Sequence, residues 1–107
     1  MSETLDQIRK LAASDNVRIS EHGYDEMAED GIGVRAVLSG IQSAVLIEDY
    51  PAFPKGRSVL VLQSDEANRP IHVVWGIPAG HERPAVLVTA YRPDPAKWSA
   101  DWLRRLR

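Results

Sequence analysis

A chain of 107 residues, 44% apolar and 26% charged, has the make-up of one globular domain and is too short for two independent cores. The absence of cysteine excludes a disulfide framework and any thiolate metal site, which fits a cytoplasmic protein held together by packing alone. No apolar run approaches the roughly 20 residues of a membrane-spanning helix, and residues 1–15 carry charges where a signal peptide needs an apolar stretch.

The net charge of −2 conceals an uneven distribution. Residues 1–30 hold eight acidic and three basic side chains, residues 31–90 hold five of each, and residues 91–107 hold five basic and two acidic. A basic end carrying Arg92, Lys97, Arg104, Arg105 and Arg107 can attract a polyanion, or it can be a solvated tail.

Leu5, Ile8, Leu11 and Ala12 fall at helical spacing behind Ser2, an available N-cap, and predict an amphipathic first helix. A second helix begins near Ser20 with Glu21 in its first turn and stops at Asp30-Gly31, placing His22 and Glu26 on one face. Val34, Val37, Leu38 and Ile41 predict a third helix from Gly33 or Val34, with one stripe buried against a sheet. The period then changes. Runs rich in Val, Ile and Leu over residues 44–48, 57–63, 70–77 and 84–91 predict four strands, and the short linkers between them favour an antiparallel meander. Asp94-Pro95 has the form of a helix start leading into Trp98, Trp102, Leu103 and Leu106. The expected architecture is α+β: helices on a four-stranded antiparallel sheet with a short C-terminal helix, as a single domain over residues 1–107.

Three stretches carry a resemblance. They are Ile19-Ser20-Glu21-His22-Gly23-Tyr24, Arg69-Pro70-Ile71-His72-Val73-Val74-Trp75-Gly76, and Val88-Thr89-Ala90-Tyr91-Arg92-Pro93-Asp94-Pro95 with Trp98. With Ile47-Glu48-Asp49-Tyr50-Pro51 they make the chain resemble the bacterial family known as domain of unknown function 4258. That family is similar to the RelE, BrnT and MqsR group of ribonuclease toxins, of barnase, EndoU, colicin and RelE type fold. The resemblance implies a metal-independent endoribonuclease, the toxin of a toxin–antitoxin pair. It implies RNA, free or on the ribosome, and a small antitoxin protein as partners. It implies no cofactor, and an RNA-receiving sheet face opposite the helices.

Strand alternation points Ile71, Val73, Trp75 and Ile77 one way and His72, Val74 and Gly76 the other, so His72 is expected on the less crowded face beside Tyr91 or Arg92, according to register. Attack of a ribose 2′-hydroxyl on the adjacent phosphate needs a proton carrier of pKa near neutrality and cations on the phosphate. His72 is the candidate acid or base, Arg92 the phosphate clamp, Tyr91 a stacking or hydrogen-bonding group, and His22 a further candidate. Lys55, Arg57 and Lys97 are candidate RNA contacts. Each has a structural alternative. His72 can be satisfied by a backbone carbonyl, His22 can anchor its helix, Arg92 can pair with the acidic N-terminal helices, Asp94 can be only a cap, and the tryptophans can be core. Three histidines without close ligand spacing do not suggest zinc. A non-catalytic module binding a partner protein through the same sheet face is the competing reading, favoured by the mildly acidic overall charge.

Overall fold

The computed structural model describes residues 2–106, arranged as three helices on one face of a five-stranded mixed sheet. Helix α1 spans Glu3–Ala13, and Ser2 caps it by accepting the Leu5 amide, as its sequence predicts. The short strand β1, Val17–Ile19, precedes helix α2, Glu21–Glu29, which is capped by Ser20 and ends at Asp30 with Gly31 at φ +65°. Helix α3, Val34–Gly40, runs into a 3₁₀ turn over Ile41–Ser43. Strands β2 (Val45–Tyr50), β3 (Ser58–Ser64), β4 (Pro70–Gly76) and β5 (Ala85–Tyr91) complete the sheet, in the order β1-β5-β4-β3-β2.

The four expected strands form the antiparallel meander β2-β3-β4-β5, but β1 adds a fifth strand, parallel to β5. Three residues are too few for the alternation of Val17-Arg18-Ile19 to register as a strand. The expected C-terminal helix does not form. Asp94 caps only a turn, accepting the Ala96 amide, and Ser99 and Asp101 capture the amides of Arg104 and Leu103 with their own side chains. Such local bonds compete with a helix ladder, and Trp102, at φ +66°, breaks it outright. Among the described residues beyond Pro93 the only strand-like pairing is the bridge between Trp98 and Arg105.

One core lies between sheet and helices, where Ile8, Met27, Val37 and Ile41 meet Val59, Val61, Ile71, Val73, Trp75 and Leu87. Its polar thread runs through Trp75, whose indole N–H donates to Gln63 (3.0 Å), while the Gln63 amide donates to the Val37 carbonyl in α3 (2.9 Å). Trp75→Phe leaves that glutamine oxygen unpaired and should cost about 1–3 kcal/mol, measured by denaturant unfolding.

Two β-bulges decide what the opposite face displays. Leu46 pairs with Val61 and Glu48 with Leu60, so Ile47 is an extra residue that turns Glu48 and Tyr50 away from the core. In β5, Thr89 pairs with Val74 and Leu87 with Trp75, so Val88 is extra; Ala90 then returns to the core and Tyr91 comes out on the opposite face. The Val88 carbonyl accepts the Ser20 hydroxyl at 2.8 Å, and a Cβ on Gly23 would stand 3.0 Å from the same oxygen, so the start of α2 presses directly onto the bulge.

Candidate functional site on the open sheet face

The face away from the helices has two halves. One is a trough of about 450 Å³ with a floor of Val74, Gly76, Val86 and Val88 and a rim bearing Arg18, Tyr50, Phe53 and Lys55. Tyr50 and Phe53 are exposed at 41% and 51%. The cations Arg18 and Lys55 line the trough and no carboxylate does, so it suits a ligand with an apolar or planar body and a negative charge.

The rim depends on the β2–β3 loop, which lies across the end of β4. The Ile77 amide donates to the Arg57 carbonyl (3.0 Å) and the Ala79 amide to the Lys55 carbonyl (3.1 Å). Gly56, between them at φ +131°, lets the two backbones touch.

The other half is covered. His72 and Tyr91 are direct cross-strand partners on β4 and β5, with imidazole Nδ1 3.3 Å from the phenol oxygen. Residues 93–106 fold back over them. The Trp102 carbonyl lies 2.8 Å from His72 Nε2, and the Trp98 ring stands edge-on to the imidazole at 4.3 Å between centroids. His72 is 0% exposed. Trp98 and Leu60 are also buried here, apart from the helix-side core. A carbonyl can only accept, so Nε2 carries the proton and Nδ1 offers its lone pair to the Tyr91 hydroxyl. Burial pushes the His72 pKa below its ordinary value and that of Tyr91 above, favouring the uncharged form of each.

Arg105 closes the cover. Its guanidinium sits over the Trp98 ring at 4.8 Å and donates to both oxygens of Glu48, at 3.0 and 3.2 Å. This bond, with one from the Tyr50 hydroxyl, holds the Glu48 carboxyl below the usual range.

The expected site is therefore only partly assembled. His72 and Tyr91 meet, and Lys55 shares their face in the trough. Arg92, one residue past Tyr91, turns to the helix side, where it donates to Asp65 (2.9 Å) and the Asp30 carbonyl (3.0 Å); it braces the end of α2 rather than accompanying His72. His22 pairs with Glu26 at 3.2 Å on the exposed face of α2, and the helix is anchored by Ser20 and Gly23 instead. Arg57 contacts Ile77 through its backbone and is not among the trough's lining side chains. Lys97 is exposed on the covering segment. Arg18, Tyr50 and Phe53 escaped the sequence reading. Arg18 was hidden by the brevity of β1, whereas Phe53 between Pro51 and Pro54 was a legible signal of an aromatic ring held out on a loop. Among the described residues no three His, Asp or Glu side chains are grouped to hold a metal ion, and no helix is long and apolar enough to cross a membrane.

Comparison with known families matches residues 19–92 to the family described as Domain of unknown function (DUF4258). The chain belongs to this family. Its matched segment contains α2, α3, all four meander strands and, of β1, only Ile19, hence His72, Tyr91 and the trough apart from Arg18. The covering residues 93–106 lie beyond it. No curated protein and no solved structure matches the chain.

Proposed function

We propose that this DUF4258 domain acts on RNA through the open face of its sheet, as a metal-independent endoribonuclease of the RelE-like toxin type. The observation that carries the reading is one continuous face holding a cation- and aromatic-rimmed trough beside an imidazole–phenol pair. Phe53 and Tyr50 offer rings for an unstacked base, and Arg18 and Lys55 offer charge for its phosphates. The layering, with helices on one face and the other left open over the trough, is what the resemblance to RelE-type toxins calls for.

Cleavage by this pair balances without a metal. The ribose 2′-oxygen bonds to phosphorus as the bond to the 5′-oxygen breaks. The 2′-hydroxyl proton passes to His72 Nε2, the departing 5′-oxygen takes the Tyr91 proton, and Nδ1–H restores the phenol. This requires the tautomer with Nε2 free, and an imidazole with the ordinary pKa of about 6.5 is largely uncharged and able to act as a base at neutral pH. The products are a cyclic phosphate and a free 5′-hydroxyl.

A short single-stranded RNA with a fluorescent end tests the binding step. Arg18→Glu and Lys55→Glu should each weaken binding about tenfold or more at low salt and flatten its salt dependence, and Phe53→Ala should weaken it by about 1–3 kcal/mol. Undiminished binding by all three folded variants, or none by the wild type, would sink the RNA reading. Two observations favour a second reading, a protein-interaction module: His72 is wholly buried, and the trough floor is apolar. Absence of RNA binding with retention of an apolar peptide in the trough would decide for it.

A further inference from the structure

We propose that residues 93–106 form a releasable strap that keeps the His72–Tyr91 pair inactive, and that opening it exposes the pair to RNA held in the trough. The inference rests on the RNA reading and adds its regulation.

The strap blocks the chemistry at one atom. Nε2 must be free to accept a proton, and in the closed state it is spent on the Trp102 carbonyl at 2.8 Å. The residue supplying that carbonyl is bulky and held at φ +66°, a left-handed conformation unfavourable for a side chain of this size, so the bond that covers the imidazole is made at the expense of backbone strain. Release relieves it.

The strap is also lightly held. It has no helix, and of its large apolar side chains only Trp98 is buried, whereas Trp102 and Leu103 are half-exposed and Leu106 is 51% exposed. Its remaining tie to the sheet is the Arg105–Glu48 pair, whose arginine side chain is 61% exposed and therefore open to competition from solvent and salt. The position of that tie matters. Glu48 is bonded to Tyr50, which stands on the trough rim, so a phosphate bound there arrives beside the guanidinium that latches the strap. A polyanion in the trough competes with Glu48 for Arg105 and favours opening. The same ligand that the trough selects is thus the one that unlocks the pair.

The test uses the 107-residue chain and Arg105→Glu, a surface change that sets a negative charge against Glu48. Modification of histidines by diethyl pyrocarbonate, mapped by mass spectrometry, reports access, with exposed His22 and His81 as internal standards. His72 should be protected in the wild type and react about tenfold or more faster in Arg105→Glu. The variant should also cut the single-stranded RNA to cyclic-phosphate ends, and Arg105→Glu combined with His72→Phe should not. A second release variant, Trp98→Ala, checks that the effect belongs to the strap. Persistent protection of His72 in folded Arg105→Glu overturns the proposal and leaves the RNA-binding result standing. An accessible His72 with bound but uncut RNA overturns the proposed gating of catalysis. An accessible His72 in a protein that binds no RNA removes the RNA reading itself.

Discussion

Gly56→Ala should destabilise the domain by about 3 kcal/mol or more and abolish the RNA binding proposed for the trough. A Cβ at this position would stand 2.0 Å from the Ile77 carbonyl oxygen and 2.8 Å from the Ala79 amide nitrogen, both backbone atoms that no rotamer change can move. The glycine's φ of +131° is closed to alanine in any case, so the substitution is penalised by conformation and by contact together. The loop can accommodate it only by lifting off β4. That motion breaks the bonds from Ile77 to Arg57 and from Ala79 to Lys55, and it carries Phe53 and Lys55 away from the valine floor. Denaturant unfolding and RNA anisotropy on the same preparation check both parts. Gly80→Ala, at φ +76° with open space around its Cβ, should show only the conformational part and keep RNA affinity. An alanine at residue 56 that keeps wild-type stability and binding would show that the loop does not set the rim.

The helices were legible in the sequence because local chemistry and tertiary packing agree there. Ser2 and Ser20 cap α1 and α2, and the apolar stripe of α1 is the stripe that reaches the core. The meander was legible for the same reason, since its strands alternate and its linkers are short. What could not be read were features that depend on a partner distant in sequence. The parallel strand β1 exists because β5 supplies its hydrogen bonds, and three residues announce nothing alone. The bulges at Ile47 and Val88 reverse the facing of everything beyond them. Strict alternation from Ala85, which faces the core, would turn Tyr91 inward, and one extra residue brings it to His72 and sends Arg92 to Asp30 and Asp65. The candidate site was therefore legible as residue types and as a choice of face, but its membership was settled by two single-residue irregularities. The C-terminal segment shows the converse failure. Asp94-Pro95 is a sound helix start, yet Ser99, Asp101 and the burial of Trp98 against His72 draw the following residues into turns.

His72→Ala should cost about 2–4 kcal/mol, because it opens a cavity under Trp98 and leaves the Trp102 carbonyl without its donor. The sharper expectation concerns acid. The folded imidazole holds a proton less readily than an exposed one, burial being the main cause, with the Arg105 charge working in the same direction and both the Trp102 carbonyl and the Glu48 carboxylate working against it. As pH falls below about 6.5, the unfolded chain therefore takes up the proton first, and stability is lost progressively down through the depressed folded value. Above that window the curve should be flat with respect to this group. The other groups facing the imidazole do not reproduce the effect. Tyr91 is uncharged throughout, and Glu48, held low by Arg105 and Tyr50, keeps its charge until the pH is lower still. Urea unfolding of the wild type and His72→Phe across pH 5 to 8 separates the contributions: the wild type should lose stability on the acid side, and the variant should lose less. Equal acid loss in both would remove His72 as its source. Charging the imidazole leaves its bond to the Trp102 carbonyl available but takes away the burial that the strap enforces in its uncharged form. The acid transition should therefore begin with strap opening, seen as early exposure of Trp98 and Trp102 fluorescence while the helix signal in circular dichroism is still intact.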